Sequence, residues 1–175
     1  MKRQFLKYAL AASATMALGA CGGSDNPAPA SLPTQNIVAL AQATPDLGIL
    51  VEAVVAADLP GTLSGAGPFT VFAPTNAAFA AALTELGLTK AQLLAPANKA
   101  LLTKILTYHV VAGNVLKAQV PIGAPITTVQ GETFTVDSSL AITDQRARKA
   151  NIAATDILAT NGVVHVIDKV ILPKP

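Results

Sequence analysis

Few side chains in this 175-residue sequence could carry catalysis or hold a metal. There are two histidines, His109 and His165, and one cysteine, Cys21. The histidines stand more than fifty residues apart with no further thiolate nearby, so no metal-site spacing is present and no metal is predicted. A ligand or general-base role is one interpretation of each histidine, but a single internal hydrogen bond also explains a histidine among apolar neighbours. We therefore expect both to be structural.

Two aspartates near the C-terminus, Asp156 and Asp168, could form a carboxylate pair for acid–base work. They could also cap turns and complete an ion pair with Lys169 or Arg148, which we favour. The stretch LSGAG at 63–67 lacks the first glycine of a nucleophile elbow and precedes a strand. It also lacks the third glycine and following helix of a dinucleotide loop. The sequence thus predicts no catalytic residue, no cofactor and no enzyme, and an unrecognised hydrolase is the weakest hypothesis.

Arg146, Arg148 and Lys149 form the densest basic cluster, inside a segment patterned as a hairpin. A solvated loop is the simpler interpretation. The sharper hypothesis is an anion contact, in which the three side chains bind carboxylates or phosphates of envelope glycans, since the arginine fork matches both groups.

The first twenty residues are typical of a cleaved signal peptide. Lys2, Arg3 and Lys7 flank the start of an apolar run from Tyr8 to Leu18. As a helix this run is about 16 Å long, too short for a hydrocarbon core of about 30 Å. The start resembles a twin-arginine export signal with lysine in place of the first arginine, so the export route stays open between that pathway and general secretion.

Residues 21–35 are predicted to anchor and tether the folded body. LGAC at 18–21 resembles the bacterial lipobox, which implies a lipidated Cys21, and two or more acyl chains suffice for a stable anchor. A redox thiol or intermolecular disulfide is the alternative. The following Gly, Ser and Pro residues indicate a flexible tether of at most roughly 45 Å. Gly22 stands where an aspartate retains many lipoproteins in the inner membrane, which favours the outer membrane or cell surface.

Composition and charge indicate one packed domain, residues 36–175, without a polyanionic partner. Hydrophobic residues make up 51% of the sequence and charged residues 13%. Without the signal peptide, nine basic residues face ten acidic ones, too balanced for a field that would steer nucleic acid. Aromatic residues are 4%, with no tryptophan on which bases could stack. We expect membrane contact through the lipid anchor alone.

Hydrophobic spacing predicts helices in the first half of the body. Thr44 is placed to cap a helix that begins at Pro45. Residues 98–107 read as an amphipathic helix, with four residues on its apolar side: Leu101, Leu102, Ile105 and Leu106. Between these helices, residues 69–73 alternate as a strand, Pro74 ends it, and Thr75 can cap a helix over 76–86.

Strands dominate the second half. From residue 124 onward the apolar period shortens to two, and Asn161-Gly162 is a strong signal for a tight hairpin turn. Helices followed by strands indicate the α+β class.

Three stretches together resemble a fasciclin-like domain, from about Asn36 to Pro173. They are FTVFAPTNAAF at 69–79, ILTYHVVAG at 105–113 and ATDILATNGVVHVIDKVILP at 154–173. The resemblance implies a wedge of about seven mostly antiparallel strands with helices on one flank. It also implies that the first and last stretches lie on neighbouring strands, and that the domain acts in adhesion or extracellular binding.

The resemblance also implies candidate binding residues. In animal members, receptor binding is attributed to a Tyr-His motif and to an Asp-Ile pair before the last stretch. Tyr108, His109, Asp156 and Ile157 occupy those positions. The Asn and Lys that commonly precede Asp-Ile are replaced here by alanine and threonine.

The combined hypothesis is a non-enzymatic, lipid-anchored envelope or surface protein. Its single fasciclin-like domain would bind an envelope or extracellular-matrix protein or a glycan. The alternative is a periplasmic small-molecule carrier or sensor that uses a pocket between the helices and the sheet.

Overall fold

The structure is a computed structural model and describes residues 33–174. The signal peptide, Cys21 and most of the tether lie outside the described residues, so those predictions remain predictions. Within the described part, no single helix is long and apolar enough to cross a membrane. Together the helical segments Ile37–Ala43 and Pro45–Ala56 are long and apolar enough, but the chain bends by 110° between them.

Helices precede almost all of the strands, which confirms the α+β class. The described helices are α1 (Ile37–Ala43), α2 (Gly48–Ala56), α3 (Pro60–Leu63), α4 (Asn76–Leu86), α5 (Lys90–Leu93) and α6 (Lys99–Tyr108), with short 3-10 turns at Pro45–Leu47, Pro96–Asn98 and Lys117–Gln119. The strands are β1 (Phe69–Pro74), β2 (Val110–Ala112), β3 (Pro125–Thr127), β4 (Thr133–Val136), β5 (Ala141–Thr143), β6 (Lys149–Ala159) and β7 (Gly162–Ile167).

The seven strands form one sheet in the order β2-β1-β7-β6-β5-β4-β3. Five of its neighbouring pairs are antiparallel, and β1 with β7 is the parallel pair. The backbone N–H of Val129 donates to the carbonyl of Val110 at 2.7 Å, so the chain after β3 lies against β2 and nearly closes the sheet. This arrangement confirms the expected wedge. It also confirms that the first and last of the three motif stretches are neighbours.

Two apolar cores lie on opposite faces of the sheet. Val71 and Val164 belong to the core between the helices and the sheet. Phe72, Phe134 and Ile167 belong to the core inside the wedge. Since successive residues of a strand face opposite sides, β1 and β7 each contribute to both cores. These two strands are therefore the centre of the fold.

The junction between β1 and α4 forms as its sequence predicts. Thr75 has extended backbone angles, and its hydroxyl accepts from the N–H of Ala78 at 3.2 Å, which caps the first turn. The helix ends at Gly87, whose φ of 65° is the left-handed conformation common after a helix. The sharp change from strand to helix is therefore architecture, with Phe79 buried on the inner face of the helix.

Two local predictions are wrong. The hydroxyl of Thr44 does not cap the turn at Pro45, because it donates to the carbonyl of Leu40 in the preceding helix at 2.9 Å. Leu101 is predicted to lie on the apolar side of α6, yet it is 37% exposed, whereas Leu102 and Ile105 are buried. The wide apolar stripe of this helix extends beyond the surface that the sheet covers.

The hairpin turn between β6 and β7 holds three parts of the chain together. Asn161 accepts from the N–H of Ile37 at 3.0 Å through Oδ1, and its Nδ2 donates to the carbonyls of Leu63 and Gly65. At Gly162 an added Cβ would lie 1.9 Å from the carbonyl oxygen of Phe69. No other amino acid fits at position 162 without moving β1, so the turn has a packing role beyond its favourable conformation.

Candidate binding surface

Tyr108 lies at the end of α6 with its side chain inside the wedge. It is fully buried, and its hydroxyl donates to the carbonyl of Thr133 at 2.9 Å. Its ring meets Phe134 edge to face at 6.1 Å between centroids. Burial raises the pKa of the phenol well above its usual range, so the hydroxyl keeps its proton. Tyr108 therefore acts as a buried anchor in this structure.

His109 is equally enclosed, and both of its ring nitrogens are used. The N–H of Ile171 donates to Nε2 at 3.1 Å, which fixes Nδ1 as the protonated nitrogen that donates to the carbonyl of Ile105 at 2.7 Å. Burial lowers the pKa of this imidazole to about 4. A neutral ring joins α6 to the C-terminal segment, so a partner could touch Tyr108 or His109 only if the core opened. The binding role implied for this pair remains a prediction.

Asp156 and Ile157 lie where β6 bulges away from regular pairing with β7. Asp156 is exposed and has a φ of 58°, a left-handed conformation that aspartate tolerates better than most residues. Its Oδ1 accepts from the N–H of Lys117 at 2.7 Å, which ties the loop after β2 to the bulge. Ile157 is partly buried against the core between the helices and the sheet. Of the four residues implied by the resemblance, Asp156 is exposed, Ile157 is partly buried, and Tyr108 and His109 are buried.

His165 connects the bulge to the core. Its Nδ1 accepts from the N–H of Asp156 at 3.3 Å, so Nε2 carries the proton and donates to the carbonyl of Val115 at 2.9 Å. The ring lies 5.4 Å from Phe72, centroid to centroid, and is fully buried. The two histidines thus adopt opposite tautomers. Both satisfy the structural role expected from the sequence.

The Tyr108–His109 pair and the Asp156–Ile157 pair are linked through the core and do not meet at a shared surface. A row of rings runs from Tyr108 through Phe134 and Phe72 to His165, with neighbouring centroids 5.1 to 6.1 Å apart. The backbone of Asp156 adjoins the last ring through its hydrogen bond to Nδ1. The two motifs therefore support the same core from two sides.

Asp168 has a structural role that differs from the expected one. Its carboxylate accepts from the backbone N–H of Asn151 at 2.7 Å and from the side-chain amide of Asn151 at 2.8 Å. The expected ion pair with Lys169 or Arg148 does not form, because Arg148 instead contacts Asp144 and Glu85. Asp156 and Asp168 each bind a separate backbone segment, so the interpretation as turn-capping carboxylates holds and the ion-pair part is wrong.

The basic cluster is divided among three environments. Arg148 donates from Nε and Nη2 to Oδ2 of buried Asp144 at 3.0 and 2.9 Å, and it also contacts Glu85 and the carbonyl of Val170. Arg146 is exposed, and its Nε donates to the carbonyl of Pro173 at 3.0 Å. Lys149 is exposed, with Asp137 at 3.6 Å. The three side chains do not form one anion contact, since Arg148 is neutralised by carboxylates of its own chain.

Asp144 is the important residue that the sequence interpretation missed. Besides Arg148, its carboxylate accepts from the backbone N–H groups of Arg146, Arg148 and Leu172, and its side chain is 1% exposed. An aspartate that opens a turn and has an arginine four residues later is a recognisable Asx-turn pattern. That local pattern is sufficient to pair Arg148 with Asp144.

Two of the clefts among the described residues differ in character. Between α1, α2 and the sheet, an apolar cleft that includes Val38 and Val51 has a cavity volume of about 30 Å³, room for one or two waters. The carrier alternative needs a pocket of roughly ten times that volume there. A second space of about 420 Å³ lies between α4 and the ends of β6 and β7, bordered by Lys149 and Lys169. This second space, the α4 groove, is large enough for a ligand.

The polar side chains of the described residues bond mainly within the domain. Among residues 33–174, no group of three or more His, Cys, Asp or Glu side chains is arranged to hold a metal ion. Within the same range, every buried side-chain nitrogen and oxygen has a hydrogen-bond partner. The surface, and the α4 groove in particular, is therefore the candidate for contact with other molecules.

Comparison with known proteins places the chain in a family. The fasciclin-domain model matches residues 45–173. Protein sll1483 of a Synechocystis strain is 48% identical over 139 residues, which span 78% of this chain and 73% of that protein. The transforming growth factor-beta-induced protein ig-h3 of Sus scrofa is 40% identical over 127 residues, which span 71% of this chain and 17% of that protein. The chain therefore belongs to the fasciclin-domain family, a family of adhesion and binding domains.

A solved structure has the same fold. It is a FAS1 domain pair from the insect cell adhesion molecule fasciclin I, with a TM-score of 0.71 over 80% of this chain and 51% of that chain. Sequence identity over the match is 16%, so this likeness concerns the fold alone.

Proposed function

We propose that this protein is a non-enzymatic, lipid-anchored envelope or surface protein whose single fasciclin domain binds another envelope or matrix component. The observation that carries the proposal is that the reactive side chains of the family motifs face inward. Tyr108, His109 and His165 each make internal hydrogen bonds, so the outer surface is what the domain offers to a partner. The fasciclin match and the adhesion role of the insect neighbour agree with this class of function.

The anchor is proposed from the sequence. A lipid on Cys21 would hold the domain at a membrane, and the 22–35 tether would let it stand off by roughly 45 Å at most. The proposed location is the outer membrane or the cell surface. An anchored binding domain needs only modest affinity, because confinement near its partner raises the effective concentration.

A pull-down from the protein's own envelope tests both parts. The full-length protein is cross-linked in intact cells, and captured material is compared with that of Cys21→Ser. We expect wild type to fractionate with membranes and capture a defined partner, and Cys21→Ser to lose the membrane fraction. Globomycin should block processing of wild type and leave Cys21→Ser unaffected. Capture of no specific partner by the anchored protein would contradict the binding function, and globomycin-insensitive processing would contradict the anchor.

A further inference from the structure

The α4 groove has a flat apolar floor and a basic rim. Ala78, Ala81 and Ala82 stand on one face of α4, at the three- and four-residue spacings that share a helix side. Ala81 is exposed in the groove, whereas Ala78, Ala82 and Val170 line its base and are themselves almost fully buried. With a cavity volume of about 420 Å³, the groove lies within the size range of small-ligand sites.

Four charged side chains line the groove: Glu85, Arg148, Lys149 and Lys169. Arg148 is held by Asp144 and by Glu85, which leaves the two lysines as the cations available to a ligand. Lys169 is exposed and makes no ion pair among the described residues. Lys149 faces Asp137 at 3.6 Å with 68% of its side chain exposed, so water screens that pair strongly. The groove therefore presents two available cations beside an apolar floor, a combination suited to an anionic ligand.

The shape of the groove disfavours a peptide as that ligand. Peptides recognised as an added strand need an unpaired strand edge, whereas β6 and β7 pair with each other beside the groove. Peptide helices need deep apolar pockets, and proline-rich segments need aromatic walls. The groove has an alanine floor and no aromatic residue. The same lack of aromatic rings removes a platform for stacking neutral sugars, so charge must supply most of the attraction.

We infer that the α4 groove binds an acidic glycan, a strand of sugars that carry carboxylates, with Lys149 and Lys169 contacting the carboxylates and Ala81 contacting the sugar rings. This inference rests on the proposed function and names the class of partner for the domain. It replaces the three-residue anion contact expected from the sequence. Lys149 is kept, Lys169 is added, and Arg148 supports the groove through its internal ion pair.

Calorimetric titration of the full-length protein with tetragalacturonate is the test. At about 50 mM salt we expect binding that weakens several-fold at about 300 mM, since added salt screens exposed charges. Lys149→Ser with Lys169→Ser should weaken binding about tenfold or more, because both charged contacts are lost. The matched control is Lys90→Ser with Lys99→Ser, which removes the same charge from lysines outside the groove and should bind as wild type does.

A steric pair of variants tests the floor without changing charge. Ala81→Leu fills the groove and should weaken binding, whereas Ala80→Leu adds the same side chain at an exposed α4 position that does not line the groove. Equal affinity of wild type, Ala81→Leu and the groove double variant would overturn the inference. Absence of tetragalacturonate binding at low salt would also overturn it, as would equal binding of neutral tetragalactose. Equal or tighter binding of tetraglutamate would overturn it in favour of an acidic peptide.

The pull-down from the envelope separates this inference from the proposed function. If anchored wild type and the Lys149→Ser, Lys169→Ser protein capture the same partner equally, the groove assignment is wrong and the binding function stands. If neither captures a partner, the proposed function itself fails.

Discussion

The Tyr108–His109 pair and the α4 groove show opposite uses of polar side chains. In the pair, the hydroxyl and both ring nitrogens bond to backbone groups inside the domain. In the groove, Lys149 and Lys169 extend their charges into solvent. The most recognisable motif is therefore buried in the folded domain, whereas a surface with a weak sequence signal is exposed. We expect substitutions in the first region to change stability and substitutions in the second to change binding.

The largest expected effect comes from the turn beside the core strands. Gly162→Ala places a Cβ 1.9 Å from the carbonyl oxygen of Phe69, so β1 and β7 must separate. We expect a loss of about 3 kcal/mol or more in the free energy of unfolding, measured by urea denaturation. Gly61→Ala is the control, because nothing lies within 4 Å of its new methyl group, and its effect should stay within about 1 kcal/mol. A stable Gly162→Ala protein would show that the strands are less tightly coupled than the structure indicates.

The next largest effect should distinguish the buried partner of Arg148, Asp144, from its exposed partner, Glu85. Asp144→Asn should lower the free energy of unfolding by about 3 kcal/mol, because the amide cannot accept all the donors that meet the buried carboxylate. Glu85→Gln alters the other, more exposed partner of Arg148 and should cost less than about 1 kcal/mol. Equal effects of the two substitutions in urea denaturation would contradict the assignment of Asp144 as the inner support.

A smaller effect should appear as a dependence of stability on pH. His109 has a pKa of about 4 in the fold and about 6.5 when unfolded, because burial disfavours its charged form. Between these values the unfolded chain binds a proton that the folded chain does not, so stability falls as pH falls through this window. The expected loss from about pH 8 to about pH 5 is about 2 kcal/mol.

Urea denaturation across that range measures the loss, and His109→Gln provides the comparison because it should flatten the pH dependence. Hydrogen bonds from Lys174 to Glu132 and from Ser139 to Asp137 lower the pKa of these two carboxyl groups. Their contributions are therefore lost at lower pH than that of His109. An unchanged slope in His109→Gln would mean that another group titrates in this window.

The smallest stability effect belongs to the outer part of the groove. Lys149→Ser with Lys169→Ser should change the free energy of unfolding by less than about 0.5 kcal/mol, since both side chains are exposed and neither is held in a close ion pair. The same thermal and urea measurements serve as the fold control for the binding experiments. A large loss would mean that the lysines support the fold, and any loss of binding would then be indirect.

The sequence predicts the fold well because the relevant signals are local or follow the apolar pattern. The Thr75 cap and the strand at Phe69 depend on near neighbours and occur as expected. The hairpin signalled by Asn161-Gly162 also forms, with Thr160 and Asn161 in the turn and Gly162 as the first residue of β7. Thr44 and Leu101 depart from prediction because their roles depend on which distant surface covers them. The local pattern cannot contain that information.

The site is less predictable, because it depends on which charges are already paired. The sequence analysis pairs Arg148 with Asp156 or Asp168, but in the fold Glu85, sixty-three residues earlier, and buried Asp144 hold it. The sequence analysis names Lys169 only as an ion-pair partner of Asp156 or Asp168, and its position beside α4 appears only in the fold. The Asp144–Arg148 pair follows from a local pattern, but the contact of Arg148 with Glu85 and the place of Lys169 beside α4 depend on residues distant in sequence.

The most direct test of the account compares Tyr108→Phe with the Lys149→Ser, Lys169→Ser protein in the same glycan titration and envelope pull-down. Tyr108→Phe loses the hydrogen bond to Thr133, so its free energy of unfolding should fall by about 1 kcal/mol. The account predicts that Tyr108→Phe binds as wild type does, while the lysine variant keeps its stability and binds at least about tenfold more weakly. Lost binding in folded Tyr108→Phe together with unchanged binding in the lysine variant would contradict it.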